Sequence, residues 1–78
     1  MFKYTLTPAS DDLKILTPFV TDFNDVKKEI TQTSDCIINV SHYPCGFTIK
    51  ITQYANKIEI ESNKELIDNG DSTYSVKL

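Results

Sequence analysis

Residues 36–61 read CIINVSHYPCGFTIKITQYANKIEIE, and apolar and polar residues alternate along this stretch in three runs. The runs cover residues 36–41, 47–52 and 57–61. A period of two is typical of strands that bury one face and expose the other. The stretch therefore predicts three antiparallel strands that share one core-side face and one solvated face.

The turns between the runs predict how the strands pair. With a turn over residues 42–45, the core-side pairs are Val40–Phe47, Ile38–Ile49 and Cys36–Ile51. A second turn at Ala55-Asn56 places Ile51 opposite Ile60 and turns Glu59 and Glu61 outward. A slip of one residue would move every side chain to the opposite face, so this register is strongly specified.

A first hairpin is predicted before these strands. Residues 2–6 alternate and end at Pro8, and residues 13–17 return as a second strand. In that hairpin Leu6 pairs with Leu13, and Tyr4 lies beside Ile15 on the same face.

The C-terminal part leaves two alternatives open. A capping-box pattern at residues 62–65 favours a helical turn over residues 63–68. Asn69-Gly70 equally favours a type I′ hairpin that joins residues 65–68 to residues 71–78, and this is the preferred interpretation. In both cases Tyr74, Val76 and Leu78 alternate as a last strand.

Residues 68–76 resemble the Asp-Gly-Asp-Gly-Thr-Tyr turn of filamin-type immunoglobulin repeats. Ser72 stands where that pattern has Gly. The match covers about a tenth of the chain, and the length and a predicted helix oppose the immunoglobulin fold. The resemblance is therefore interpreted as shared hairpin chemistry.

A helix is predicted between the first hairpin and the three runs. Phe19, Phe23, Val26 and Ile30 follow one another at spacings of four, three and four. At 100° per residue they fall within an arc of about 60°, which is a narrow apolar stripe. The predicted fold class is α+β, a single helix packed on an antiparallel sheet in the order β-β-α-β-β-β(-β).

Length and composition limit the possible functions. The 78 residues fit one globular domain, residues 1–78, with a net charge of −3. All eight basic residues are Lys, so the side chain best suited to gripping phosphate is missing and nucleic-acid binding is disfavoured. No apolar run approaches the about 20 residues of a membrane span. The start of the chain predicts no signal peptide, hence a cytoplasmic protein.

Cys36, His42 and Cys45 are the soft metal ligands of the chain. The predicted register places the two Cys residues at opposite ends of a strand, too far apart for a shared metal or a disulfide. No metal site and no cofactor are therefore predicted. His42 and Cys45 could form a nucleophile–base pair, but nothing in the sequence orients the imidazole. A Cys/His enzyme is the least favoured hypothesis.

Acidic side chains give the main candidate site. On the predicted helix, acidic side chains form an arc beside the apolar stripe. Acidic side chains of the predicted sheet form a second patch. The candidate partner-binding residues are Asp22, Asp25, Glu29, Glu59 and Glu61, together with Tyr43 at a turn tip. They would meet a partner protein with a basic surface, without nucleic acid or membrane, and the protein would be a monomer or weak homodimer.

The favoured functional hypothesis is a small non-enzymatic protein-binding module. Its size, acidity and predicted α+β make-up are similar to those of phage inhibitors of host defence complexes, including anti-CRISPR proteins. That similarity implies docking on a nucleic-acid-binding surface of the target. The alternative is a structural or assembly subunit, of virion or secretion type, that pairs an exposed edge strand at residues 1–7 or 73–78 with a neighbour.

Overall fold

The computed structural model describes residues 1–9, 12–17 and 23–77, which are built from β-strands in two sheets. A single 3-10 turn, Phe23–Asp25, is the helical element of the described part. The strands are β1 (Phe2–Leu6), β2 (Lys14–Leu16), β3 (Lys27–Gln32), β4 (Ile37–His42), β5 (Thr48–Gln53), β6 (Ile58–Ser62), β7 (Leu66–Asp68) and β8 (Thr73–Val76).

The larger sheet has five antiparallel strands in the order β1-β6-β5-β4-β3. Strands β3 to β6 follow one another as a meander. Strand β1 pairs with the other side of β6 and forms the opposite edge of the sheet. The smaller sheet has the order β2-β8-β7, with β2 parallel and β7 antiparallel to β8.

The α+β prediction is wrong, because the described part of the predicted helix contains no α-helix. Residues 27–32 form strand β3, in which Ile30 is 69% exposed instead of packed on a sheet. Two physical causes are visible. The β-branched Ile30 and Thr31 suit an extended chain, and they pair in register with β4. The sheet face that a helix would have covered is packed against the smaller sheet. Phe19 and Asp22 lie outside the described residues.

The core lies between the two sheets. The side of the larger sheet that meets the smaller one is called the inner face, and the opposite side the outer face. The buried apolar residues are Phe47, Ile49, Ile58, Ile60, Leu66, Tyr74 and Val76. None of these comes from β3 or β4, so within the described chain that end of the larger sheet extends beyond the core.

Two polar side chains form hydrogen bonds inside or beside this core. Ser62 is fully buried, and its hydroxyl donates to the carbonyl of Lys64 at 2.5 Å. The hydroxyl of Tyr4 accepts a hydrogen bond from the backbone N–H of Leu66 at 2.8 Å. The Tyr4 contact therefore links β1 of the larger sheet to β7 of the smaller one.

The predicted pairing of β5 with β6 is confirmed, since Ile51 lies opposite Ile60. The predicted pairing of β4 with β5 is wrong. Val40 lies opposite Lys50, three residues beyond Phe47, and Ile38 lies opposite Thr52. A shift by an odd number of residues exchanges the two faces of a strand. Ile38 and Val40 therefore belong to the outer face instead of the core.

A different turn causes the shift. Gly46 N donates to Tyr43 O at 3.0 Å, and Tyr43 N donates to Phe47 O at 2.9 Å. Gly46 adopts a φ of +91°. Pro44 in second position and Gly46 in fourth position suit a type I turn closed by a left-handed residue, which makes a three-residue loop. The prediction had assumed a two-residue loop.

The predicted N-terminal hairpin is also wrong. β1 pairs with β6, where Tyr4 faces Ile60 and Leu6 faces Ile58, and β2 pairs with β8. Alternation along residues 2–6 specifies a strand and its apolar face, but it does not specify which strand lies beside it. In β6, Ile58 and Ile60 offer a matching apolar row.

The pairing of the C-terminal hairpin is confirmed, but its type I′ turn at Asn69-Gly70 is wrong, because Asp68 lies opposite Tyr74 and the loop is longer than two residues. The alternative helical turn over residues 63–68 is also wrong. β7 pairs antiparallel with β8, and Asn69 N donates to Thr73 O at 3.0 Å. Tyr74 and Val76 are buried as the alternation predicts, whereas Leu78 lies outside the described residues. β8 is paired on both sides by β2 and β7. Residues 73–76 are therefore not an exposed edge, contrary to one form of the assembly hypothesis.

In the part of the chain that the structure describes, no helix has the length and apolar character needed to cross a bilayer.

Candidate functional site

The outer face of the five-stranded sheet brings together three of the six predicted site residues, Glu29, Glu59 and Glu61. Directly opposed residues of an antiparallel sheet share a face, so the pairing defines rows of side chains. The first row is Lys3, Glu61, Lys50, Val40 and Glu29, and the second is Thr5, Glu59, Thr52, Ile38 and Thr31. Charges of opposite sign therefore alternate along the first row, and the second row is mainly uncharged.

A shallow groove of about 340 Å³ lies on this face. Half-buried Ile38, Cys36 and Tyr54 line it together with Thr52, which is only 8% exposed. Charged residues border the groove, and they are Lys3, Lys50, Glu59 and Glu61. The groove thus combines an apolar and hydroxyl-bearing floor with a rim that carries both signs of charge.

One end of the groove is organised around Lys57. Its Nζ lies 3.2 Å from Oε1 of Glu59 and 5.1 Å from the centre of the Tyr54 ring. A cation over an aromatic face is attracted by the ring, and the carboxylate restrains it further. The contacts hold Tyr54 and Glu59 on either side of the same ammonium group.

The other end of the outer face carries a chain of polar contacts across three strands. Glu29 Oε2 of β3 lies 3.2 Å from His42 Nε2 of β4, and His42 Nδ1 lies 3.5 Å from Thr48 Oγ1 of β5. Sequence reasoning found no group that orients the imidazole, because it placed Glu29 on a helix. Both ring nitrogens of His42 therefore face Glu29 and Thr48. The side chains of Glu29 and His42 are 72% and 46% exposed, so the chain of contacts lies in open solvent.

The predicted acidic residues divide between two places. Glu29, Glu59 and Glu61 share the outer face, with Glu29 on the edge strand β3 and the other two on β6. Asp25 is exposed in the 3-10 turn that precedes β3, and Asp22 lies outside the described residues. The predicted helical ridge is wrong, because Asp25 and Glu29 do not share a helix.

Tyr43 is half-buried and packs against the core. Its ring centre lies 5.2 Å from that of Phe47, with the planes inclined at 39°. Offset, tilted rings at this distance attract one another. The side chain therefore covers one edge of the core next to the β4–β5 turn.

The two cysteines are free thiols at opposite ends of β4. Cys36 does not face Ile51 in the core as predicted. It is half-buried beside the groove, where its Sγ lies 3.4 Å from Thr33 Oγ1. Cys45 is exposed in the β4–β5 turn. Across residues 1–9, 12–17 and 23–77, no group of three or more His, Cys, Asp or Glu side chains is arranged to hold a metal ion.

Sequence reasoning missed the groove. Ile38, Tyr54 and Cys36 were absent from the predicted site, as were the rim lysines Lys3 and Lys50. The signal that could have found Ile38 and Cys36 is the Pro44–Gly46 spacing, because the three-residue loop that it favours moves both onto the outer face. Lys3 depends on the β1–β6 pairing, for which no local signal exists.

Comparison with protein families, curated proteins and solved structures found no match for this chain.

Proposed function

We propose that the protein is a small, non-enzymatic, cytoplasmic binding module that docks on a partner protein through the outer face of its larger sheet. The groove carries this proposal. Protein–protein interfaces commonly have a less polar centre and a charged rim, which is the arrangement of the groove floor and the four charged residues around it.

Charge gives the expected character of the partner. The chain has a net charge of −3, and Glu29, Glu59 and Glu61 all project from this face. The net charge of −3 attracts a basic partner to the molecule as a whole, whereas the outer face also carries Lys3, Lys50 and Lys57 and has no excess of negative charge. Cations of the partner would compete with Lys57 for Glu59. Lys3 and Lys50 lie on either side of Glu61, so the partner surface would need carboxylates between its cations.

The solvent exposure of the contacts among Glu29, His42 and Thr48 favours a role in binding over a role in catalysis. Catalytic groups act in sites that exclude water, where electrostatic interactions are strong. The side chains of Glu29 and His42 are 72% and 46% exposed, and none of the three residues lines the groove. We therefore assign this chain of contacts to the polar border of the docking face.

The fold removes one ground for the similarity to phage inhibitors of host defence. That similarity combined size and acidity with an α+β make-up, and the fold lacks that make-up among the residues described. The proposed function therefore rests on the outer face alone.

The test compares the partner affinity of two variants, one with neutralised carboxylates on the outer face and one with a neutralised carboxylate next to the smaller sheet. Partners are captured from a lysate of the source cells with the unaltered chain, and the affinity of each is measured for Glu59→Gln/Glu61→Gln and for Glu65→Gln. Glu65 is the matched control, because it is also paired with a lysine, Lys77, at 3.1 Å but precedes β7 in the smaller sheet.

We expect the outer-face variant to bind about tenfold more weakly and the control to bind within about twofold of the unaltered chain. Raising the salt concentration should narrow the difference between the two, because exposed charges are screened. Equal binding by both variants, or the absence of any captured partner, would contradict the proposal.

A further inference from the structure

Strand β3 is an unpaired edge with an exposed aliphatic side chain. Among the described strands it pairs with β4 alone, and all six of its residues are exposed. Ile30 is 69% exposed, the highest value for a large apolar residue within a strand. An edge of this kind offers backbone hydrogen bonds and an apolar contact to another strand.

Backbone hydrogen bonds fix the direction of the N–H and C=O groups in β3. Thr33 N donates to Cys36 O at 2.9 Å, so Thr33 points toward the strand beside it. Antiparallel ladders alternate, which means that Thr31 and Glu29 also point toward β4. The N–H and C=O groups of Lys28, Ile30 and Gln32 therefore point out of the sheet.

The hydrogen bonds between β4 and β5 lead independently to the same assignment of backbone directions in β3. Tyr43 N donates to Phe47 O at 2.9 Å, so the odd-numbered residues of β4 bond to β5. The even-numbered residues of β4 are then directed at β3. They lie opposite Lys27, Glu29 and Thr31, in agreement with the first assignment.

We propose that β3 is a self-association strand: a second copy of this chain pairs antiparallel with it about a twofold axis at Ile30. The two larger sheets then form one continuous sheet. Because the axis is perpendicular to the sheet, the outer faces of both copies lie on the same side. This inference does not depend on the proposed binding function.

Charge and apolar contact together favour one register for a second copy. A twofold axis at Lys28 would place two lysines directly opposite each other, and an axis at Glu29 would place two carboxylates opposite each other. Like charges in these positions are destabilising. An axis at Ile30 avoids both clashes, since Lys28 then faces Gln32 of the second copy and Glu29 faces its Thr31. An axis at Thr31 avoids them as well, but it places Ile30 opposite Gln32 and loses the contact between the two Ile30 side chains.

In the same register, the outward backbone groups and the apolar side chain of β3 all find partners in the second copy. The outward N–H and C=O groups of Lys28, Ile30 and Gln32 all meet outward groups of the second copy, and the two Ile30 side chains cover one another. β3 is thus complementary to itself in backbone direction, charge and apolar contact at one register.

The experiment uses two neighbouring substitutions to lysine in the full chain. Ile30→Lys places like charges opposite each other at the axis. Thr31→Lys places each new lysine opposite Glu29 of the other copy. Sedimentation equilibrium up to millimolar concentration should show a dimer of the unaltered chain, a dissociation constant at least about tenfold higher for Ile30→Lys, and one about two- to tenfold lower for Thr31→Lys.

A cross-linking measurement checks the register. Residues in a hydrogen-bonded antiparallel pair have Cα atoms about 5.5 Å apart, within the range that a disulfide spans. In a Cys36→Ser/Cys45→Ser background, Ile30→Cys should oxidise to a covalent dimer and Lys28→Cys should not. A chain that stays monomeric at millimolar concentration, equal effects of the two lysine substitutions, or equal cross-linking at positions 28 and 30 would each overturn the proposal.

Discussion

Ser72 adopts a left-handed backbone conformation, with a φ of +67°, in the β7–β8 turn. This conformation costs a residue with a Cβ about 1–2 kcal/mol. It is also the position at which the turn pattern of filamin-type repeats has Gly. Glycine would adopt this conformation without that cost.

Ser72→Gly should therefore stabilise the protein. Relief of strain outweighs the greater backbone entropy of glycine in the unfolded chain, for a net gain of about 0.5–1 kcal/mol. Thermal unfolding should then shift upward by several degrees. Ser41→Gly within β4 is the control and should lower the stability by about 0.5–1 kcal/mol. A lower stability for Ser72→Gly would show that the turn is not left-handed at this residue.

Tyr74 gives a prediction for alkaline pH. Burial raises the pKa of its phenol above 10.0, and the negative charge of Asp68 and the neighbouring Tyr4 raise it further. Below pH 10 the phenol is protonated in both the folded and the unfolded chain, so it has no effect on the pH dependence. Above pH 10 the unfolded chain loses the proton first, which favours unfolding.

The free energy of unfolding should consequently fall as the pH rises above 10 and level off once the pH passes the folded-state pKa of Tyr74. Tyr74→Phe should show a smaller fall. Urea unfolding midpoints at pH 8 to 11 measure both chains. An identical pH dependence would mean that the phenol is not buried in the core.

At the scale of elements, the β4–β5 turn decides which side chains form the candidate site. Gly46 has a φ of +91°, and a Cβ built on it meets no atom within 4 Å. The effect of a substitution there comes from the backbone conformation alone.

Gly46→Ala should cost about 1–2 kcal/mol, whereas Gly46→Asn should cost less, because Asn tolerates the left-handed region. Denaturant unfolding of the two variants measures the difference. In the two-residue loop expected from the sequence, Gly46 would belong to an extended strand, and Gly46→Ala would stabilise the protein. The sign of the change therefore distinguishes the two turns.

The elements also show what could be predicted from the sequence. Alternating stretches long enough to bury one face, such as residues 57–61, were assigned correctly as strands, and so was the C-terminal hairpin. β3 could not be recognised, because Ile30 is its only large apolar residue and the 4-3-4 spacing upstream of it imitates a helix. β3 is a strand because β4 offers it a partner, which no local pattern records.

The candidate site was predicted only in part, because strand pairing is again not recorded in a local sequence pattern. Glu59 and Glu61 were assigned to the outer face from alternation within β6, and the structure places them there. Ile38 was assigned to the core because its position depends on the register between two strands. A loop longer by one residue changes that register and carries the side chain to the other face.

At the scale of the whole molecule, one side-chain hydrogen bond joins the two sheets across the core. The Tyr4 hydroxyl accepts from Leu66 N at 2.8 Å, and the Tyr4 ring centre lies 6.0 Å from that of Tyr74. Leu66 is only 5% exposed, so its N–H has little access to water. The bond therefore satisfies a donor that the packing of the sheets would otherwise leave unpaired.

Tyr4→Phe should lower the free energy of unfolding by about 1–3 kcal/mol, because it leaves that buried N–H without its acceptor. Tyr54→Phe removes a hydroxyl from the half-buried outer face and should change the stability by less than about 0.5 kcal/mol. Urea unfolding of both variants provides the comparison. Equal effects would indicate that the sheets do not meet at Tyr4 and Leu66.

Ile38 and Val40 lie on the outer face because of the register between β4 and β5, and NMR spectroscopy measures that register. In non-hydrogen-bonded antiparallel pairs the Cα atoms approach to about 4.5 Å, so the Hα atoms give strong cross-strand NOEs. The structure predicts Hα–Hα NOEs from Val40 to Lys50 and from Ile38 to Thr52. NOEs that place Val40 opposite Phe47 and Ile38 opposite Ile49 would return both side chains to the core and contradict the proposed docking face.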